Sequence, residues 1–261
     1  MNDFAGKSVV VTGGSLGMGL ACALRFAQGG AGVTIIANDE TSTREAVRSI
    51  GGSIRGHVGD VRKAVDMQAG IAKAVEAFGG VDILVCCAGI QRYGNVVDTP
   101  EEVWDDVLGV NLKGIFLAAK YAIPEMRKQG GGAVIAISSV QAFASQSSVA
   151  AYTASKGGIN ALVRAMALDH AADNVTVNAV CPASVDTPML RWAADLHKGS
   201  STAEATLAAW GKGHPIGRVG QPWEIAEAVA FLASDKARFI TGADLKIDGG
   251  VLAKLGIVLP E

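Results

Sequence analysis

SVVVTGGSLGMGLACALRFA, residues 8–27, passes from an apolar run through a cluster of glycines into a helical pattern. Its first five residues, 8–12, are continuous and apolar enough for a strand buried on both faces. Leu20, Leu24 and Ala27 then recur at helical spacing, which marks them as the inward face of the following helix. Gly13, Gly17 and Gly19 let the chain turn tightly and bring its backbone close to a pyrophosphate. A helix that starts there aims its free N–H groups and its positive dipole end at those phosphates. The spacing is G-x-x-x-G-x-G, not the commoner G-x-G-x-x-G. Gly-rich turns also close β–α units that bind nothing, so the loop gains its weight from its place directly after the first strand.

The same alternation continues outward. Apolar runs at 33–37, 53–58, 82–88, 133–138, 175–180 and 243–248 read as further strands. Helical patterns lie between them, one through Ile71, Val75 and Phe78, another after Pro100 with Thr99 as its N-cap. Strand–helix–strand repetition implies right-handed crossovers and a parallel sheet covered on both faces. The expectation is a single α/β domain over 1–261, a Rossmann-like doubly wound sheet of about seven strands. The polar, Gly- and Ser-rich segment 183–217 is too long for a simple connection and reads as a lid over the substrate.

Bulk properties exclude several classes. Of 261 residues, 49% are apolar, enough for a large core, and the formal net charge is -2. No basic patch dominates, which argues against a nucleic-acid partner. No apolar run reaches the roughly 18 residues of a membrane span. The N-terminal MNDFAGKSVVV has no signal pattern, so a mature cytoplasmic protein is expected. Cys22, Cys86, Cys87 and Cys181 lack metal-ligand spacing and read as buried thiols. His57, His170, His197 and His214 are scattered, so no metal is expected.

The stretch VAAYTASKGGINAL, residues 149–162, is small and apolar yet carries Tyr152 and Lys156. Positions i and i+4 share a helix face, so phenol and ammonium enter one space. Seen alone, this is an ordinary amphipathic pair. An alcohol oxidation needs a base that takes the hydroxyl proton as hydride leaves the carbon. A free tyrosine, with a pKa of about 10, needs a fall of roughly 2–3 units to serve near neutrality.

At this point the chain resembles the short-chain dehydrogenase/reductase family over nearly its whole length. TGGSLGMG (12–19) is similar to that family's TGxxxGxG loop, and YTASK to its YxxxK, with Ser139 thirteen residues before Tyr152. GDV (59–61), VCCAG (85–89), VNLKG (110–114), ISS (137–139), CPASVDT (181–187) and FITGADLKIDGG resemble further family motifs in the right order. The resemblance implies catalytic Tyr152, Lys156 and Ser139, with Asn111 holding a water that links Lys156 to solvent. It implies a nicotinamide cofactor held by Gly13, Ser15, Leu16, Gly17, Met18 and Gly19, by Asn38 and Asp39, and by Asp60 and Val61. Ala88, Gly89, Tyr152, Lys156, Pro182, Val185 and Thr187 complete that set. Lys156 is expected to hold the nicotinamide ribose and, with the oxidised ring, to favour phenolate. Three departures stand out. Cys86 and Cys87 replace asparagines, Ala183 replaces a glycine and restricts the backbone, and Gly109 sits inside a helix at a cost of about 1 kcal/mol.

The cofactor reading favours NAD over NADP. Leu16 leaves the glycine loop without a basic residue, and Asp39 would repel a 2′-phosphate, although Arg44 could reach one. The candidate substrate wall is polar: Gln91, Arg92, Tyr93, Gln141, Arg191, Trp192, His197 and Lys198. That set, and a likeness to sugar and polyol dehydrogenases of the family, favours a sugar or polyol hydroxyl. Arg92 and Arg191 keep acidic substrates open. An NADPH-dependent 3-oxoacyl-thioester or keto-acid reductase is the main rival. A sugar-nucleotide epimerase of the related extended family would need a longer C-terminal substrate domain. A regulatory protein that only binds the cofactor would have no need of four catalytic groups. Homo-oligomers, dimer or tetramer, are expected through Ala-rich faces of the helices at 101–129 and 152–170, with the apolar tail VLAKLGIVLPE packed on a neighbouring subunit or its active-site mouth.

Overall fold

The computed structural model describes residues 3–255. Seven parallel strands form one sheet in the order β3-β2-β1-β4-β5-β6-β7. They are β1 (Ser8–Thr12), β2 (Gly32–Ala37), β3 (Ile54–Val58), β4 (Ile83–Cys86), β5 (Gly132–Ile137), β6 (Val175–Pro182) and β7 (Asp244–Ile247). The chain starts in the middle of the sheet, winds outward to β3, then crosses back beside β1 to begin β4. The reversal leaves a crevice at the carboxyl ends of β1 and β4, where open α/β sheets take their ligands.

Alternation along each strand feeds two cores. Val10, Leu84, Val134 and Val177 join one cluster with Met67 and Ile71 of α3 (Ala64–Phe78), Ala118 and Ala122 of α5 (Gly114–Lys128), and Ile159 of α6 (Ala150–His170). Val9, Val11, Val85 and Ile135 join the other with Phe26 of α1 (Gly17–Gln28), Ala46 of α2 (Glu40–Ile50) and Val229 of α9 (Pro222–Ala233). Strands covered on both faces have no polar side, which is why they read as unbroken apolar runs.

Several expectations shift. β4 stops at Cys86 rather than position 88, because Cys87 and Ala88 leave the sheet to pass over Gly13. The buried face of α1 is Gly19, Cys22, Ala23 and Phe26, while Leu24 is exposed and Leu20 and Ala27 only flank the core. Thr99 is not a helix cap. Its hydroxyl donates to the Asn95 carbonyl, and Pro100 is the N-cap of α4 (Glu101–Leu108). The 183–217 segment, expected to be more than a simple connection, contains α7 (Pro188–His197) and α8 (Ala203–Lys212).

Helix α4 runs into α5 through a π-helical turn, Gly109–Lys113, giving one continuous helix, Glu101–Lys128. By length and composition that helix could cross a membrane, but half of its most apolar window is buried in the fold. Its alanines Ala118, Ala119 and Ala122 are in the core, so the exposed face is Lys113, Phe116 and Lys120 rather than an Ala-rich one. The α6 face does expose Ala154, Ala161, Ala165 and Leu168 as expected. The end of the apolar tail, 256–261, lies outside the described residues.

Gly109 has ordinary right-handed helical angles, φ -59° and ψ -49°. A Cβ there would meet only Arg62 methylenes, at 3.4 and 3.5 Å. Gly109→Ala is therefore expected to stabilise the protein by about 0.5–1 kcal/mol, read as a higher urea midpoint with an unchanged m-value.

Candidate active site

The floor of the crevice is backbone. A Cβ on Gly13 would stand 2.7 Å from the Ala88 Cα, and one on Gly19 would stand 2.1 Å from the Gly13 carbonyl oxygen. Only glycine permits that approach, and it leaves the first amides of α1 facing an elongated cavity of about 440 Å³. Of the residues expected to hold a cofactor, Gly13, Ser15, Leu16, Gly17, Met18 and Gly19 line this cavity at the loop. Asn38, Asp60, Val61, Ala88, Gly89 and Thr187 line the rest. An elongated, glycine-floored cavity on a helix N-terminus fits a dinucleotide.

Pro182 and Val185 do not reach the cavity; they end β6 and open the following segment beside Ser139, whose hydroxyl is 3.5 Å from the Pro182 carbonyl oxygen. Asp39 also lies outside it. Its carboxylate is the N-cap of α2, accepting from the Ser42 amide at 2.7 Å, a contact that holds its pKa below the usual range. Arg44 pairs with Glu40 on the surface of α2 and lies outside the cavity.

Two cationic residues line the cavity, Arg62 and Arg92. Sequence reasoning assigned nothing to Arg62. Its guanidinium holds Asp60 at 2.7 Å and also pairs with Asp106, and this keeps the Asp60 carboxyl below its ordinary pKa. The one local signal was its place two residues after Asp60. Asp106 is 44 residues away and gave none. Ile90, Val110 and Met189 also line the cavity without having been singled out, and Cys87, expected as a buried thiol, is only partly buried and lines it too.

The chemistry enters from α6. Close packing places this helix: a Cβ on Gly158 would be 2.9 Å from Leu112 in the π-turn. Lys156 is 5% exposed and donates from Nζ to the Ile137 carbonyl at 2.9 Å. Its Nζ lies 5.3 Å from the Tyr152 ring centroid. Gly89 joins the two halves of the site, since a Cβ there would meet Asn111 Oδ1 at 3.4 Å and Lys156 Nζ at 4.0 Å. Ser139 Oγ accepts from the Gln141 amide at 3.1 Å and lies beside the Tyr152 phenol.

The π-turn offers Asn111, which is fully buried. Its Oδ1 accepts from the Ile90 amide at 2.8 Å, and its Nδ2 donates to the Ile90 carbonyl and to Ser155 Oγ, both at 3.0 Å. Ser155 donates to the Tyr152 carbonyl at 2.7 Å. Asn111 thus ties the wall of the cavity to the helix that carries the phenol.

Burial moves the two ionisable groups in opposite directions. Tyr152 is pushed up to about 12, with the neighbouring Ser139 opposing the rise and Tyr93 adding to it. Lys156 is pushed down to about 8. The fall expected for Tyr152 is not produced by the protein's own groups, because desolvation outweighs them.

The substrate candidates separate. Gln141 is held by Thr153, which donates to its Oε1 at 3.2 Å. Trp192 and His197 pack on Tyr93. Arg92 faces the dinucleotide cavity, and Gln91 gives its carbonyl to that guanidinium at 3.0 Å. Arg191 is paired with Asp186 at 2.7 Å and Lys198 with Asp195 at 2.6 Å, so neither presents a free charge. Ala183, expected to restrict the backbone, does not have a positive φ and carries no strain. Among the described residues there is no cluster suited to a metal ion.

Comparison with known proteins agrees with this geometry. A family model described as enoyl-(acyl carrier protein) reductase matches residues 13–252. An uncharacterised oxidoreductase of Thermotoga maritima is 39% identical, covering 96% of this chain and 99% of its own. The 2-(S)-hydroxypropyl-CoM dehydrogenase 3 of Xanthobacter autotrophicus is 38% identical, covering 97% and 99%. The ligand-free structure of Thermoplasma acidophilum aldohexose dehydrogenase superposes with a TM-score of 0.92 at 37% identity, over 100% of this chain and 99% of that one.

A buried ammonium that ionises at about 8 instead of 10.5 costs folding roughly 3 kcal/mol at neutral pH. Lys156→Met removes that cost and loses one hydrogen bond of about 1 kcal/mol. The variant should therefore melt several degrees higher at pH 7. The folded-state pKa lies below the unfolded one, so wild type recovers stability as pH rises through 8 toward 10.5. The gap should narrow over that range, as read by calorimetry at about pH 7 and about pH 10.

Proposed function

This chain belongs to the short-chain dehydrogenase/reductase family, and from that premise we propose that it oxidises a secondary hydroxyl of a sugar or polyol with NAD. Members of the family are nicotinamide-dependent oxidoreductases acting on small molecules. The observation that carries the reading is the junction at Gly89, where the glycine-floored cavity meets Lys156 and Asn111. When bound, the nicotinamide exchanges a hydride with the substrate carbon and, oxidised, adds a positive charge beside the phenol.

Every other part falls to the chain's own residues. The free amides at the start of α1 would hold the pyrophosphate, and Asp60 and Val61 would hold the adenine. Asn38 would meet the adenosine ribose, and Lys156 the nicotinamide ribose. Ser139 donates to the reacting oxygen and stabilises charge developing there. Tyr152 exchanges the proton with that oxygen. Asn111 fixes the Ile90 backbone and, through Ser155, the start of α6.

NAD is favoured over NADP because Leu16, not a basic residue, lines the cavity at the glycine loop, and Arg44 is paired with Glu40 outside it. A sugar or polyol is supported by the polar Gln141–Thr153 wall beside Tyr152 and by likeness to an aldohexose dehydrogenase. The pairing of Arg191 and Lys198 with carboxylates argues against an acidic substrate. An NADPH-dependent 3-oxoacyl-thioester or keto-acid reductase is the second reading, favoured by 35% identity to a 3-oxoacyl-[acyl-carrier-protein] reductase of Thermotoga maritima. Assembly as a dimer or tetramer belongs to the same proposal, with Trp104, Phe116 and Leu168 exposed on α4, α5 and α6 as the contact face. Sedimentation at micromolar concentration should show no monomer.

Absorbance assays with NAD and NADP against aldoses, polyols, simple secondary alcohols and 3-oxoacyl esters test the reading. Turnover of a sugar or polyol with NAD is expected, and Tyr152→Phe should lower kcat by about 10²–10⁴-fold. With Tyr152 raised to about 12, the small phenolate fraction climbs about tenfold per pH unit below that value, so oxidation should accelerate from about pH 6 to about pH 9, whereas the phenol stays the dominant form and carbonyl reduction should change little over the same range. Turnover confined to oxo-esters with NADPH would replace this proposal with the second reading.

A further inference from the structure

Two segments distant in sequence meet above the catalytic helix. One follows β4 and carries Tyr93. The other follows β6 and carries α7. The Tyr93 ring centroid lies 4.5 Å from the His197 ring, edge-on at 77°, and 5.9 Å from the Trp192 ring at 32°. Tilted and edge-on contacts at these separations are the favoured aromatic geometries. The residues that bury α7 against the body are small, Ala193 and Ala194, while Trp192 and Leu196 are exposed. The large side chains of α7 therefore add little to the core, and two of its rings grip Tyr93.

The next residue is bonded to the helix that carries the phenol. Gly94 donates to the Ser148 carbonyl at 2.7 Å and accepts from the Ala150 amide at 3.2 Å, forming a parallel bridge with Val149. Ser148 is held at φ 60°, a left-handed conformation unusual for serine. Ala150 is the first residue of α6, two before Tyr152. A mechanical path thus runs from α7 through the Tyr93 ring and the Gly94 backbone to the start of α6.

We propose that Tyr93 is a positioning residue, a latch by which the α7–α8 pair closes as a lid on the mouth of the catalytic helix. The rings set how far α7 can swing away, and the Gly94 bridge fixes the latch relative to Tyr152. The latch does not depend on which alcohol is oxidised.

Hydrogen exchange on the full-length protein with saturating NAD tests it without a substrate. Tyr93→Ala should speed exchange of amides 188–197 by roughly tenfold, the loss expected for two aromatic contacts, while 64–78 in α3 stays unchanged. His197→Ala, made from the other side of the contact, should loosen the same segment. Tyr93→Phe keeps the ring and should restore protection. Unchanged exchange at 188–197 would overturn the latch, as would loosening that extends to 64–78 or that Tyr93→Phe fails to reverse. Failure to find a sugar substrate would bear on the proposed reaction and leave the exchange result standing.

Discussion

A methyl group on Gly19 would sit 2.1 Å from the Gly13 carbonyl oxygen, and one on Gly13 would sit 2.7 Å from the Ala88 Cα. The rest of the site depends on these close backbone approaches. They let α1 start directly at the end of β1, so that its unpaired amides face the crevice. They also force β4 to leave the sheet at Cys86 and pass over the loop. The result is a cavity floored by main chain between two strands that are neighbours in space but far apart in sequence. A side chain at either position would push the floor apart before it changed any contact to a ligand.

Burial is the second constraint. The same dry pocket that raises Tyr152 to about 12 lowers Lys156 to about 8. Both shifts disfavour charge, so the phenol stays an acid at neutral pH while Lys156 remains an ammonium with a much reduced preference for its charged form. Stability is given up at Lys156, where a buried ammonium has a single carbonyl partner at 2.9 Å among its hydrogen bonds. Functional sites commonly carry local conflicts of this kind, and the surrounding packing sustains them. Here α6 sits tightly against the π-turn, and Asn111 and Ser155 lock its first turn to the cavity wall.

Charge around the site is largely satisfied internally. Arg62 bridges Asp60 and Asp106, Arg191 pairs with Asp186, and Asp39 caps α2. Asp39 and Arg191 had attractive ligand-binding readings in isolation. Their partners redirect them toward organisation of the cavity rim and the segment over it, leaving a neutral polar wall in which the Ser139 hydroxyl lies beside the phenol. A neutral polyhydroxy substrate is compatible with such a wall in a way that a strongly anionic one is not.

Local sequence was sufficient for the five inner strands, because chains buried on both faces read as unbroken apolar runs, whereas the half-exposed edge strands β3 and β7 carry Arg55, His57, Asp244 and Lys246 and were legible only from their place in the alternation. It was sufficient for the glycine loop and for Tyr152 with Lys156, because their geometry depends on neighbours within a few positions. The order of motifs then identified the family and the doubly wound sheet. Tertiary structure alone decided everything that depends on long-range partners. Leu24 faces outward because Cys22, Ala23 and Phe26 take the inner face of α1. The alanines of α5 turn into the core. Arg62 finds Asp106, and Tyr93 finds His197, across separations that no periodicity encodes. The direction of the Tyr152 shift was also undecided by sequence. It depends on how much solvent the folded chain removes from the phenol, and desolvation is a property of the whole packed environment rather than of the residue pair.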